Sequence, residues 1–301
     1  MRGASMRAEN DMDNEEMTLY RDMARRAFEK EIAPHFEEWE AQHAVPREFW
    51  NTMGDAGLLC PDMPDQYGAA GADPQVTFAV IEEMSRMGFG GIANGYNIHS
   101  NIVAPYINNF GTEEQKTHWL PKLVSGEVLG ALAMTEPGAG SDVQGIRTSA
   151  VKDGNEWVLN GSKIFITNGM MAELVIVAAI TDPGKGAKGT SLFLVDASLP
   201  GYSRGKKIEK IGQHTSDTAL LFFEDMRLPE SALLGEINKG FAIMMTELPR
   251  ERLGIAGLAV AAAEGALELT INYVLERKAF GQTVASFQNT RFVLADVKTR
   301  V

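Results

Sequence analysis

Residues 147–169 read RTSAVKDGNEWVLNGSKIFITNG, and this stretch decides the class of the fold. Runs rich in β-branched and aromatic residues are interrupted by Asp153-Gly154 and by Asn160-Gly161. Such pairs tolerate the positive φ of tight two-residue turns, so both are read as hairpin signals. Working outward, ELVIVAAIT (173–181), TSLFLVDA (190–197) and TALLFFEDMRL (218–228) are further short apolar runs bounded by turn residues. Strands at this spacing, with no helical pattern between them, predict an antiparallel β-barrel or sandwich over 128–237.

The flanks are helical. Tyr20, Met23, Ala24 and Phe28, then Phe78, Ile81 and Met84, repeat with helical spacing, and loops are marked by Pro46, Pro61–Pro64 and Gly68–Gly71. Residues 1–127 are therefore read as an α-helical N-terminal domain. Beyond the β zone, GFAIMMTELPRERLGIAGLAVAAAEGALELTINYVLERKAF (240–280) predicts one long helix. Pro249 is expected to kink it, because proline has no N–H for the carbonyl one turn earlier. Gly281 predicts a break, and a second helix is expected from about Ser286 to Val301, with no capping glycine or proline at its end. Two helices rich in small apolar residues cannot bury themselves alone. The expectation is an α+β multidomain chain whose third region, 238–301, is an incomplete C-terminal helical bundle with two helices present.

The composition is that of a globular protein, with 45% hydrophobic and 23% charged residues. A net charge of −12 argues against nucleic acid as a main partner. Cys60 is the single cysteine, so no intrachain disulfide can form. No stretch is read as approaching the ~20 apolar residues of a membrane span. The opening residues, MRGASMRAENDMDNEEM, lack an apolar core, so neither a secretory nor a transit peptide is expected and a bacterial-type cytoplasmic location is. His35, His43, His99, His118 and His214 are scattered without ligand spacing and are read as structural, with no metal site. No Gly-x-Ser-x-Gly elbow or Cys/His pair supports a hydrolase.

The segment richest in chemistry is Met134-Thr-Glu-Pro-Gly-Ala-Gly-Ser-Asp142. Pro137, Gly138 and Gly140 make a tight turn just after a strand, exposing backbone N–H groups with the Thr135 and Ser141 hydroxyls beside them. The turn suits an anionic or heteroaromatic ligand; a plain β-turn reads the same residues equally well. A dinucleotide fingerprint is excluded, because Val143 stands where its third glycine belongs. Gly88-Phe-Gly90 with Ala93 is excluded because a helical pattern, not a strand, precedes it.

The order of segments carries more information than any one of them. A helical zone is followed by MTEPGAGSD, KIFITNG, SLFLVD, SDTALLFFEDMRLPESALLGE and ERKAFG, with Gln288 beyond. Across essentially its whole length the chain resembles the acyl-CoA dehydrogenase family, most closely its long-chain branch. The resemblance implies FAD as cofactor and oxidation of a fatty acyl-CoA to the trans-2-enoyl-CoA, a step of fatty acid β-oxidation. It implies that Leu132, Met134, Thr135, Gly140 and Ser141 lie at the flavin, with Thr135 bonded to the ring and Ser141 also near the acyl-CoA. Phe165, Ile166 and Thr167 match the segment flanking the ring, with Phe165 where many relatives carry tryptophan. Arg277 and Gln288 match positions holding the pyrophosphate and adenine side of FAD from a neighbouring subunit. The family also implies a homotetramer or dimer, and electron-transfer flavoprotein as acceptor.

The resemblance further implies a catalytic glutamate. Most relatives carry it in a C-terminal segment that has no counterpart in this sequence; the long-chain and isovaleryl branches place it on the long helix, directly before a family arginine. Glu251-Arg252 has that form, with Pro249 two residues earlier. From the residues alone, Glu251 reads better as a surface glutamate paired with Arg250 or Arg252, since helical glutamates and Glu-Arg pairs are common. As a base sealed by substrate and flavin, its pKa is expected to rise above a reference of about 4.3. Pro249, Arg250 and Arg252 are expected near the substrate, Arg252 beside its CoA moiety, with the Ala187-Lys188 loop against it as well. Ala242 is expected near the acyl end of the cleft. An acyl-CoA oxidase, another flavin enzyme of the same fold, or a truncated non-catalytic acyl-CoA-binding protein are the alternative readings.

Overall fold

The structure, a computed structural model, describes residues 14–301, so the expectation for residues 1–13 lies outside it. The helical region comprises α1 (Asn14–Glu31), α2 (Phe36–Gln42), α3 (Arg47–Asp55), α4 (Pro74–Arg86) and α5 (Gly90–Tyr96). A π-helical stretch, Asn97–Val103, then leads into α6 (Ala104–Phe110), and α7 (Glu113–Val124) follows. Two starts are capped by side chains: Asp73 accepts from the Gln75 N–H, and Thr112 and Gln115 form a reciprocal capping box.

The strands are β1 (Gly130–Ala133), β2 (Ser149–Asp153), β3 (Glu156–Thr167), β4 (Leu174–Ile180), β5 (Thr190–Asp196), β6 (Tyr202–Lys207), β7 (Thr218–Pro229) and β8 (Leu233–Leu234). They form one sheet in the order β6-β7-β3-β2-β4-β5-β8, with β1 also on β4. Most pairs are antiparallel, but β1–β4 and β2–β4 are parallel. Hairpin signals report neighbours in sequence, and these two pairings are not between such neighbours. Strand β4 is buried along nearly its whole length, which is why ELVIVAAIT is apolar without alternation. Leu174, Ile176 and Ala178 face the helical core, whereas Val175, Val177 and Ala179 face a second core within the β region.

Asp153-Gly154 does turn the β2–β3 hairpin, with Gly154 at φ +61°. Asn160-Gly161 does not turn: it lies inside β3, at a shift of register against β7. The Asn160 side chain is tied to Asp225, donating to Oδ1 (3.1 Å) and accepting from the backbone N–H (2.8 Å). A Cβ on Gly161 would come within 2.5 Å of Thr148 Oγ1. The pair marks a bulge where another strand passes close.

The long helix α8 (Gly240–Glu276) continues through Pro249, the residue expected to kink it. A short hairpin of β9 (Lys278–Ala279) and β10 (Gln282–Thr283) turns at Gly281, φ +78°, and α9 spans Gln288–Arg300. One window of α8 is long and apolar enough to cross a membrane by length and composition alone, contrary to the expectation from uninterrupted runs. Alanine and glycine keep it apolar on average while scattered polar residues break up the run. Part of that surface packs on α4, and Leu253, Val260, Leu269, Tyr273 and Leu275 are exposed in this chain.

Gly265 lets α8 meet α4: a Cβ there would lie 1.9 Å from the Arg86 carbonyl oxygen. That obstacle is backbone, so Gly265→Ala is expected to destabilise the chain by about 1–3 kcal/mol despite alanine's better helix propensity. Urea unfolding measures it, and unchanged or increased stability contradicts this contact.

Candidate active site

Strand β1 delivers the chain into the Met134–Asp142 turn, where Glu136 and Ala139 exchange backbone hydrogen bonds of 2.9 and 3.0 Å. Pro137, Gly138, Gly140 and Ser141 are exposed, and a Cβ built on either glycine meets nothing within 4 Å. The outer side of the turn is open. Its inner side is anchored. The buried Glu136 carboxylate accepts from the Arg147 N–H (2.6 Å), the Thr148 N–H (3.0 Å) and Lys163 Nζ (2.8 Å). Burial alone raises a carboxyl pKa, yet these donors hold Glu136 below its ordinary value. Lys163 is wholly buried and also donates to the Met134 carbonyl (2.9 Å). The Thr135 hydroxyl, expected at a bound ring, donates to the Ile164 carbonyl, so what it offers outward is an acceptor. Leu132 is buried in the helical-side core.

Phe165 adopts φ +61° and is 64% exposed. The register of β3 against β7 shifts between Lys163 and Ile166, and this bulge turns Phe165 outward while Ile166 is buried and Ile164 half-buried. Ile166 is thus a core residue, and any outward contact it makes is through its backbone; Thr167 is half-buried. Asn168, at φ +62°, donates to the Gly95 and Gly130 carbonyls at 2.9 and 3.1 Å, fastening the end of β3 to α5 and β1.

The π-helical stretch links β1 to α8. His99 is buried and held neutral, its pKa down to about 4, chiefly by desolvation. Nδ1 accepts the Gly130 N–H (3.1 Å), which leaves Nε2 to donate to the Leu123 carbonyl (3.0 Å). Asn101 accepts from Arg250 Nε (2.8 Å), and Arg250 Nη2 reaches buried Asp62 (2.6 Å), itself bonded to Thr77 (2.7 Å). Arg250 was expected at the substrate; its guanidinium is instead spent on clamping α8 to the helical region. Neighbours on a helix point about 100° apart, so this leaves Glu251 directed elsewhere.

Glu251 is half-buried and accepts the Tyr106 hydroxyl hydrogen bond on Oε1 at 2.8 Å. Neither Arg250 nor Arg252 forms a salt bridge with it, so it is not the paired surface acid that the sequence also allowed. Burial raises its pKa first, and the charge of Glu247 adds to the rise; Tyr106 and Arg252 pull the other way. The direction is the expected one, but here protein packing already produces it. Arg252 and Pro249 are exposed beside it.

Lys188 and Ala242 line one cavity of about 450 Å³ with Asn238, Lys239 and Phe241. Ala187 is half-buried on the same loop. Arg277 and Gln288 are exposed, at the end of α8 and the start of α9. Nothing in this chain brings them onto the turn.

The acyl-CoA dehydrogenase N-terminal, middle and C-terminal domain signatures match residues 14–127, 131–226 and 238–301. The chain belongs to the acyl-CoA dehydrogenase family. The mitochondrial long-chain specific acyl-CoA dehydrogenase of Sus scrofa is 50% identical over 95% of this chain, which spans 66% of that relative's length. The crystal structure of an acyl-CoA dehydrogenase from Geobacillus kaustophilus is 46% identical with a TM-score of 0.92, over 96% of this chain and 76% of that one. A solved structure described as the electron transferring flavoprotein of Acidaminococcus fermentans also gives 0.92, at 38% identity over 97% of this chain and 77% of that one.

In this family member, sequence reasoning missed Tyr106, Glu247, Asp62, Asn101 and the Glu136–Lys163 pair. Glu247 was within reach, since four residues before Glu251 on a helix is the same face. The others depend on contacts distant in sequence. Removing one partner of a buried pair strands the other. Lys163→Met is therefore expected to cost roughly 3–5 kcal/mol in chemical denaturation; a loss below about 1 kcal/mol contradicts the anchoring role.

Proposed function

We propose that this chain carries the catalytic region of an FAD-dependent dehydrogenase that converts a fatty acyl-CoA to its trans-2-enoyl-CoA, with Glu251 removing the α-proton. The observation that carries the reading is the environment of Glu251. It is a half-buried carboxylate with a raised pKa, free of any salt bridge. It sits on a helix packed against the stretch that grips β1 and hence the turn.

The residues fit a flavin. Phe165 offers a flat apolar face, the open Gly138–Ser141 turn offers unobstructed backbone and a hydroxyl, and Thr135 offers an acceptor. When bound, FAD supplies the two-electron acceptor, taking the β-hydrogen as hydride. Tyr106 holds Glu251 Oε1, so Oε2 is the oxygen left to take the α-proton. As the α C–H bond breaks, its electron pair becomes the new Cα–Cβ π bond. A raised pKa makes the carboxylate a stronger base for a weak carbon acid. Lys188 and Lys239 line the cavity beside Ala242 and suit the anionic CoA moiety.

Likeness to long-chain relatives supports fatty acyl chains as substrates. Family membership supports electron-transfer flavoprotein as acceptor, and the exposed apolar faces of α8 and α9 support a dimer or tetramer in which Arg277 and Gln288 serve a neighbouring subunit's FAD.

Glu251→Gln keeps the shape and the Tyr106 contact but cannot take a proton. Flavin is expected to stay bound while its reduction by acyl-CoA slows by roughly 10²–10⁴-fold in anaerobic stopped flow. Undiminished reduction rules Glu251 out as the base.

A further inference from the structure

Two acids and two donors meet where α8 crosses α6. Glu247 and Glu251 are one turn apart on α8, and Tyr106 and Asn109 are three residues apart on α6, so each pair lies on one helix face. Tyr106 donates to Glu251 Oε1 at 2.8 Å, and Asn109 Nδ2 donates to Glu247 Oε1 at 2.9 Å. Tyr106 has no exposed surface and Glu247 is 6% exposed. Arg252, the next residue on α8, is the cation whose charge reaches Glu251, and it is exposed. Among the described residues no arginine or lysine forms a salt bridge with Glu247; its bonded partner is a neutral amide.

We infer that Tyr106 and Glu247 are positioning residues that set the proton affinity of Glu251 in opposite senses, Tyr106 by bonding its carboxylate and Glu247 by repelling it. The inference rests on Glu251 as the base. A phenol whose own pKa is raised by burial, and then by the neighbouring Glu251 charge, stays a donor throughout the working range. Its bond fixes which carboxylate oxygen is engaged. It also favours the ionised form, which by itself would weaken the base. Glu247 counters this. A second carboxylate on the same face, itself buried, disfavours a full negative charge on Glu251. Asn109 Nδ2 donates to Glu247 Oε1 and so orients that side chain on the face it shares with Glu251. An uncompensated Tyr106 contact would give an orderly but weak base, and Glu247 without Tyr106 a strong but unaligned one.

The two substitutions move one quantity in opposite directions, which a general loss of packing does not do. Glu247→Gln keeps an oxygen for Asn109 and removes the charge, so the Glu251 midpoint falls and the acid limb of kcat/KM shifts to lower pH. Tyr106→Phe removes the hydroxyl, so both shift to higher pH. Each shift is expected to be about half a pH unit or more. The midpoint is read without substrate, from the protonated carboxyl infrared band that is present in the parent chain and missing in Glu251→Gln. If that band does not move, or moves the same way in both variants, the inference is overturned. If it moves as stated while Glu251→Gln still reduces flavin at the full rate, the pairing stands and the assignment of the base fails. A uniform loss of rate at every pH with unshifted midpoints assigns both residues to packing and overturns the inference.

Discussion

The seven residues Asn97–Val103 form a π-helical turn that is buried except for half-buried Ile98, and its polar side chains have no water to turn to. Most of their hydrogen bonds are made within the protein, because a buried unpaired polar group costs about 1–3 kcal/mol, although Asn97 Nδ2 has no partner among the described residues. His99 meets the first residue of β1 and the end of α7, Ser100 accepts from the Cys60 N–H, and Asn101 meets Arg250 of α8. The helical region, the sheet and the long helix are therefore bonded to one another through a single turn. The turn after β1 takes its position from that junction through His99 and Gly130, and α8 with Glu251 on it through Asn101 and Arg250. Burial also makes Cys60 a quiet thiol, since desolvation pushes its pKa up and Ser100 only partly offsets this.

Three buried or half-buried carboxylates show how environment divides labour among like groups. Glu136 has two backbone N–H groups and an ammonium around it and is held ionised. Asp62 accepts from Arg250 and Thr77 and serves as one end of a clamp. Glu251 has one phenol and a carboxylate neighbour, so nothing fully satisfies its charge. The first two acids are the rigid part of the site; the third is held in place but left needing a proton. That contrast, more than proximity to the turn, is what the proposal of Glu251 as the base rests on.

Much of this was legible in the sequence because it follows from local pattern. Helical spacing, apolar runs and the Asp153-Gly154 turn report neighbours along the chain, and they place the helical, β and helical regions in order. The Asn160-Gly161 signal failed because a glycine forced by a close backbone approach looks the same as one forced by a turn. The parallel pairings of β1 and β2 with β4 leave no local mark. At the site, the Met134–Asp142 turn and the Glu251-Arg252 pair stood out as motifs. What Arg250 and Thr135 do with their hydrogen bonds is decided by Asp62, Asn101 and Ile164. Of these, Asp62 and Asn101 lie far away in sequence and carry no motif of their own.

The central claim is that the turn beside Phe165 and the carboxylate of Glu251 frame one reaction centre, in which an acyl thioester is oxidised. Anaerobic titration of the flavin-containing protein with acyl-CoAs of graded chain length tests it most directly. The account predicts that the oxidised flavin absorbance bleaches on adding a fatty acyl-CoA, in proportion to the amount added, and that little peroxide forms when air is admitted. A flavin spectrum left unchanged by every acyl-CoA, or a protein that takes up no flavin at all, contradicts it.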